Sequence, residues 1–249
     1  MRDSGLTHRF ASLGLALLVM ITAFALPAPD AGAATVETFA DDFETEDFTG
    51  STGSSPWVGH WIEGGEADGA GIGVVRIEKE GRCETGSCIL LGKDKGVDST
   101  LTRSVDLGGF AAASLAFDYE VHQHGSAAGQ IDLEISDDGG STWYPLETWT
   151  MEDVAATTGA YDLTLYAASG TQIRFVVLGS DDDSHLNVDN LVITATRPNQ
   201  APVFDQDLSD RSDAAGVLIT LSSPATDPDT GDTLVYSAAG LPEGLAIDT

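Results

Sequence analysis

The sequence predicts an all-β chain whose main module is a jelly-roll β-sandwich, and three observations predict it. From residue 36 to 196 the apolar side chains recur with period two, Gly, Asp, Asn and Ser interrupt them about every 8–12 residues, and no amphipathic helical period follows the N-terminal apolar run. Period two puts alternate side chains on opposite faces of a strand. Many short strands without helices are satisfied by two packed sheets. There is no self-similar repeat of the kind a propeller needs.

The chain opens with Arg2, His8 and Arg9, followed by the apolar run Phe10 to Leu26 and the small residues Ala31-Gly32-Ala33. This reads as a signal peptide over residues 1–33. An uncleaved membrane anchor is the rival reading, because the run lies near the shortest length that spans a bilayer. The expected location is therefore secreted or cell surface, with membrane contact only through such an anchor or a segment beyond residue 249.

Along the module, "SLAFDYEVHQH" sets Leu115, Phe117, Tyr119 and Val121 on a core face and Asp118, Glu120, His122 and His124 on a face toward solvent or ligand. "QIDLEIS" buries Ile131, Leu133 and Ile135, and "TQIRFVVL" buries Ile173, Phe175 and Val177. Further strands are expected at 73–79, 87–92, 99–105, 160–167 and 186–195. The only cysteines, Cys83 and Cys88, are expected to form a short local disulfide, since an exported chain meets an oxidising compartment and the spacing is not that of a metal knuckle.

At "TRPNQAPVF", Pro198 and Pro202 bracket polar residues, which marks a linker at 197–202. Residues 203–249 again alternate strands and turns but are too few to bury a core unaided. They are expected to be the N-terminal part of a second β-module, and the chain a piece of a longer modular protein.

Charge narrows the function classes. With 40 acidic against 11 basic residues the net charge is −29, which excludes nucleic acid and anionic lipid as partners. Solubility, high external salt or divalent cations that neutralise clustered carboxylates are favoured instead, and a solvated acidic surface accounts for most of these charges.

Three resemblances add to this reading. Asn199-Gln200-Ala201-Pro202-Val203-Phe204, Ala225-Thr226-Asp227-Pro228-Asp229, Leu234-Val235-Tyr236-Ser237 and Leu241-Pro242-Glu243-Gly244-Leu245 follow in the order of dystroglycan-type cadherin-like and immunoglobulin-like modules of bacterial surface proteins, and the match covers the first half of such a module. It implies an incomplete cadherin-like sandwich over 203–249 with Asp227 and Asp229 as Ca²⁺ ligands, a role that suits hard carboxylate oxygens. The "NQAP" segment lacks an acidic residue that calcium-binding cadherins carry, and shaping a turn is the alternative role for both aspartates. Asp41-Asp42-Phe43-Glu44, Leu115-Ala116-Phe117-Asp118-Tyr119 and Val188-Asp189-Asn190-Leu191-Val192-Ile193 are similar to extracellular jelly-roll modules related to MAM domains and carbohydrate-binding modules. That resemblance implies a cation at Asp42, Glu44 and Asp189, against the alternative that these are exposed edge carboxylates. Ser136, Asp138, Gly140, Thr142 and Trp143 fill an Asp-box, which implies a structural hairpin turn in which short polar side chains bond the turn backbone.

No serine elbow, P-loop, dinucleotide-binding glycine loop or H-E-x-x-H is present. His122 and His124 with Asp118 and Glu120 are compatible with Zn²⁺ or acid–base work, but the pattern reads first as the polar face of a sheet. Asp181-Asp182-Asp183 reads as a solvated loop. Trp57, Trp61, Tyr144 and Trp149 are candidate glycan contacts, since flat rings cover the apolar faces of sugars. The reading as a whole is a noncatalytic, exported, Ca²⁺-binding modular protein of cell-surface or matrix adhesion, whose partner is a protein or a glycan. Its alternative is a carbohydrate-binding accessory region of a larger secreted hydrolase.

Overall fold

The computed structural model describes residues 23–26, 34–79, 83, 86–92, 99–124, 129–180, 184–205, 224–229 and 232–238. Most of the apolar run, Asp181-Asp182-Asp183 and Leu241 to Leu245 lie outside these residues. Two compact units divide the chain, one of residues 34–198 and one of residues 1–33 with 199–249.

The larger unit is a two-sheet antiparallel β-sandwich. Its strands are β2 (Val36–Asp41), β3 (Ile62–Gly64), β4 (Val75–Glu78), β5 (Cys88–Leu91), β6 (Ser99–Ser104), β7 (Ala112–His122), β8 (Gly129–Ser136), β9 (Tyr144–Thr150), β10 (Val154–Asp162), β11 (Gln172–Ser180) and β12 (His185–Thr196), the strand β1 (Ala23–Leu26) belonging to the other unit. One sheet runs β10-β7-β12-β5-β4, with β2 also paired to β12; the other runs β3-β6-β11-β8-β9. The first strand of the unit thus pairs with its last, Asp41 opposite Leu191 and Val36 opposite Thr196.

Alternation fills the space between the sheets. Leu115, Phe117 and Val121 from β7 meet Ile131, Leu133 and Ile135 from β8 and Ile173, Phe175 and Val177 from β11, all buried. The strand expected at 160–167 is displaced. The structure has β10 there instead, followed by a 3-10 turn at Thr164–Tyr166, because the Asp162 carboxylate accepts the Thr164 N–H at 2.9 Å and ends the strand.

A charged pair lies inside this core. Arg103 and Asp41 are each 1% exposed, and Arg103 Nη1 donates to Asp41 Oδ2 at 2.6 Å. Arg103 Nη2 donates to the Gly50 carbonyl at 2.7 Å, and Trp61 Nε1 donates to Asp41 Oδ2 at 3.0 Å. The guanidinium lies 4.5 Å from the Trp57 ring centre and 5.4 Å from that of Trp61. Asp41 Oδ1 accepts the Phe43 N–H at 2.9 Å, which holds buried Phe43 at φ 56°, a left-handed conformation a bulky side chain rarely takes. A Cβ at Gly50 would collide with the Asp41 carboxylate, so only glycine fits there.

In the second unit β1 pairs with β15 (Val235–Ala238), and β13 (Val203–Phe204) with β14 (Ala225–Thr226). Among the described residues no helix is long and apolar enough to cross a membrane.

Asp41→Ala leaves the Arg103 charge buried without its partner, which typically costs about 3–5 kcal/mol. Urea unfolding of the variant is expected to show a loss of that size, and a loss under about 1 kcal/mol, the worth of an exposed pair, would contradict the arrangement.

Candidate functional site

The outer face of the six-stranded sheet collects the polar residues that the alternation of β7 and β12 turns away from the core. Register sets Asp118 beside Asp189, Glu120 beside Asn187 and His122 beside His185. Directly opposed side chains in an antiparallel pair sit about 5 Å apart. A shallow groove runs between them, lined by Asp118, Glu120, Asn187, Asp189 and Asn190, with the disulfide of Cys83 and Cys88 on its wall.

One extra residue in β12, between the pairs Asp189–Asp118 and Val192–Ala116, shapes the groove. Asn190 sits in this bulge at φ 51°, a region asparagine tolerates. Its N–H donates to Asp189 Oδ1 at 2.7 Å and its side-chain amide to Asp118 Oδ2 at 3.0 Å. Thr158 of β10 donates to Asp118 Oδ1 at 2.7 Å.

Of the expected cation residues, Asp189 lines this groove, and Asp42 and Glu44 lie near enough for their charge to act on its carboxyl. Glu44 Oε1 accepts the Ser87 N–H at 2.9 Å, and Gly86, at φ 55°, leaves no room for a Cβ against that carboxylate. The disulfide loop therefore feeds a backbone donor to Glu44. Burial pushes the Asp189 carboxyl up to about 6, and repulsion from Glu44, Asp118 and Asp42 adds to it, against the Asn190 N–H that favours the ionised form. Asp118 is the fourth carboxylate of this neighbourhood. Its place on the outer face is readable from sequence, but its approach to Asp189 depends on the pairing of β7 with β12. The set is all-oxygen, the ligand type Ca²⁺ takes, and its carboxylates stand further apart than those of the two acidic groups described next.

Two further acidic groups occur among the described residues. In the second unit the carboxylates of Asp227, Asp229 and Asp232 lie within 4.8 Å of one another. Asp229 is buried, and its Oδ2 accepts the Gln200 N–H at 2.5 Å while Asp227 Oδ1 accepts the Asp229 N–H at 2.9 Å. Asp232 was legible only as the last acid of "DPDTGD". The other group is Glu63, Glu66 and Asp68. Glu66 caps the Val74 and Val75 N–H groups at 2.9 Å each, and burial, then the charges of Asp68 and Glu66, raise the Glu63 carboxyl.

The expected glycan contacts need correction. Trp57, Trp61 and Trp149 are 7%, 3% and 6% exposed and are core residues. Trp57 and Trp61, with ring centres 6.2 Å apart, both lie against the Arg103 guanidinium, and Trp149 packs on Tyr119 with ring centres 5.3 Å apart. Simple alternation along β9 sets Trp149 on the face of Trp143, but a bulge breaks that parity. Glu147 faces Leu133 and Pro145 faces Glu134, so Leu146 is an extra residue, and Trp149 and Tyr144 both align with inward positions. Tyr144 alone of the four is exposed, at 40%, its ring centre 5.3 Å from that of Tyr166.

The Asp-box residues form the turn between β8 and β9. Ser136 Oγ accepts the Gly140 N–H at 2.9 Å and donates to Asp138 Oδ1 at 2.8 Å, Asp138 Oδ1 accepts the Thr142 N–H at 2.8 Å, and Trp143 Nε1 donates to the Gly140 carbonyl at 2.9 Å. The bonds to Thr142, and then to Ser136, hold the Asp138 carboxyl at about 2. Arg174 lies 3.9 Å over the Trp143 ring. These contacts are internal to the turn and the sheet beneath it.

No protein-family model and no curated protein matches the chain. Among solved structures it is similar to TmCBM61 in complex with β-1,4-galactotriose, at 17% identity over 61% of this chain and 92% of that one, with a TM-score of 0.42. It is also similar to the K3 cleaved adhesin domain of Lys-gingipain from Porphyromonas gingivalis, at 13% identity over 64% and 99% with a TM-score of 0.43. A third is the CBM22-1 xylan-binding domain from Paenibacillus barcinonensis Xyn10C, at 13% identity over 69% and 99% with a TM-score of 0.36. At such scores those ligands are theirs alone, and what this chain binds is read from its own side chains.

The raised Asp189 carboxyl has a measurable sign. Folded, it takes up its proton near pH 6; unfolded, near the ordinary 3.8. Between those values the folded state binds more protons, so stability falls as pH rises through that window in the presence of chelator. Asp189→Asn is expected to flatten this fall in urea titrations run at pH 4.5 and 7; an unchanged slope would mean the carboxyl is not crowded.

Proposed function

We propose that residues 34–198 act as a noncatalytic module that binds neutral glycans, within an exported protein, with Ca²⁺ held by Asp42, Glu44, Asp118 and Asp189. The single observation that supports this is the groove on the outer face of the six-stranded sheet. Its carboxylates and side-chain amides offer many acceptors and a few donors at regular cross-strand spacing. Hydroxyls, which donate and accept, complement such a surface, whereas anionic sugars and phosphates meet repulsion. Both cysteines are tied in the disulfide, so neither is a nucleophile. Export rests on the run Phe10 to Leu26 and the small residues at 31–33. The groove also fits the reading of an accessory region attached to a hydrolase.

Binding of the full chain to soluble neutral polysaccharides is tested by affinity electrophoresis and calorimetry, in Ca²⁺ and in chelator. Glu120→Ala is expected to weaken binding about tenfold, the worth of one charge-assisted hydrogen bond, with melting unchanged. Binding untouched by Glu120→Ala, or no binding to any polysaccharide, would remove the groove from consideration, and release of reducing sugar would replace the noncatalytic reading with an enzymatic one.

The carboxylates of Asp227, Asp229 and Asp232 favour a second reading, in which Ca²⁺ stiffens the cadherin-like unit of an adhesion protein. By this reading Ca²⁺ raises the melting temperature of the full chain, and Asp229→Ala removes the share of the rise that Asp189→Asn leaves. Equal melting in Ca²⁺ and chelator for the Asp189→Asn chain would leave the second unit with no cation.

A further inference from the structure

Beyond Glu120 along β7, three imidazoles gather. His122 and His185 are directly opposed across β7 and β12, and His124 follows just past the end of β7 with its ring near both. Ring centres are 4.8 Å apart for His122 and His185, 6.2 Å for His124 and His185, and 6.4 Å for His122 and His124. The chain has 5 histidines, and one of the remaining two lies in the expected signal peptide, so this convergence takes most of those in the mature chain.

The cluster is built rather than incidental. His185 is 4% exposed, which fixes one imidazole in place. Ser184 Oγ accepts the His124 N–H and donates to the His124 carbonyl, both at 3.0 Å, so the backbone beyond the end of β7 stays tied to β12. Asp153 accepts the Gln123 N–H at 2.6 Å and pins the same segment from the other side. The His122 Nε2 lies 3.1 Å from Glu120 Oε2, the arrangement in which a carboxylate orients an imidazole and leaves Nδ1 to a metal.

We propose that His122, His124 and His185 form a binding site for a borderline transition-metal ion of the Zn²⁺ class, with Glu120 orienting His122 and the fourth position open to solvent. With metal–nitrogen bonds of about 2.1 Å and tetrahedral angles, imidazole centres around one ion lie about 5 Å apart. The 4.8 Å between His122 and His185 matches that value, and the 6.2 and 6.4 Å to His124 exceed it, so His124 is the ligand that must move in. The rings stand within 31° of parallel, so ligation turns the half-buried His122 and the exposed His124 toward the fixed His185. Imidazole selects Zn²⁺, Cu²⁺ or Ni²⁺, whereas the carboxylate end suits Ca²⁺. Four strand residues separate the two, about 13 Å at the usual rise. This site does not depend on glycan binding.

The test uses the full chain freed of metal by chelator and titrated with Zn²⁺ by calorimetry and thermal melting, with Co²⁺ as the spectroscopic probe. The expected result is one site per chain whose affinity falls about 10–100-fold in His124→Ala and again in His122→Ala, with a tetrahedral Co²⁺ spectrum lost in both. His124 is exposed, so His124→Ala keeps the fold and remains informative if a change at His185 does not. No Zn²⁺ binding by the unaltered chain overturns the proposal. So does binding that survives in the double variant and disappears in Asp189→Asn, since the ion would then sit among the carboxylates.

Discussion

The larger unit is organised around a charge pair that has no access to water. Burying Arg103 and Asp41 is tolerable only because their polar atoms are shared out among Trp61, the Phe43 N–H and the Gly50 carbonyl. Each of those partners sits on a different part of the chain between residues 41 and 103. The pair therefore fixes the path of the loop after β2, forces Phe43 into its left-handed conformation and excludes any side chain at Gly50. Asp42 and Glu44 flank Phe43, so the pose of the outward carboxylates follows from the inward one at Asp41.

The site's geometry then follows from register. β12 pairs with β7 along one side and with β2 and β5 along the other, which brings the 41–46 loop, the disulfide loop and the acids of β7 to a single surface. The bulge at Asn190 supplies the local correction, turning Asp189 and Asn190 together toward Asp118. A regular strand there would have left one of them facing the core.

Much of this architecture was legible. The alternation in "SLAFDYEVHQH" assigned core and outer faces to the right residues, and turn residues located most strands. Arg103 was legible too, in hindsight, because Leu101, Arg103 and Val105 share a parity that can only be inward. The tryptophans were not legible. A ring that stacks on a sugar and a ring that covers a buried guanidinium have the same sequence signature, and Trp149 turned inward through a bulge at Leu146 that no alternation rule foresees. His185 was hidden for a different reason. It gains meaning only beside His122, and that adjacency is a fact of pairing between strands more than 60 residues apart.

The partnership of β2 with β12 carries a kinetic consequence. The larger unit's first strand, Val36–Asp41, has for its neighbour that unit's last, His185–Thr196, so the contact that closes the sheet is among the most distant in sequence. Such non-local pairing is slow, and loop-closure entropy must be met before it is rewarded. During synthesis β2 has no edge to join, and the sandwich cannot close until nearly the whole unit has emerged.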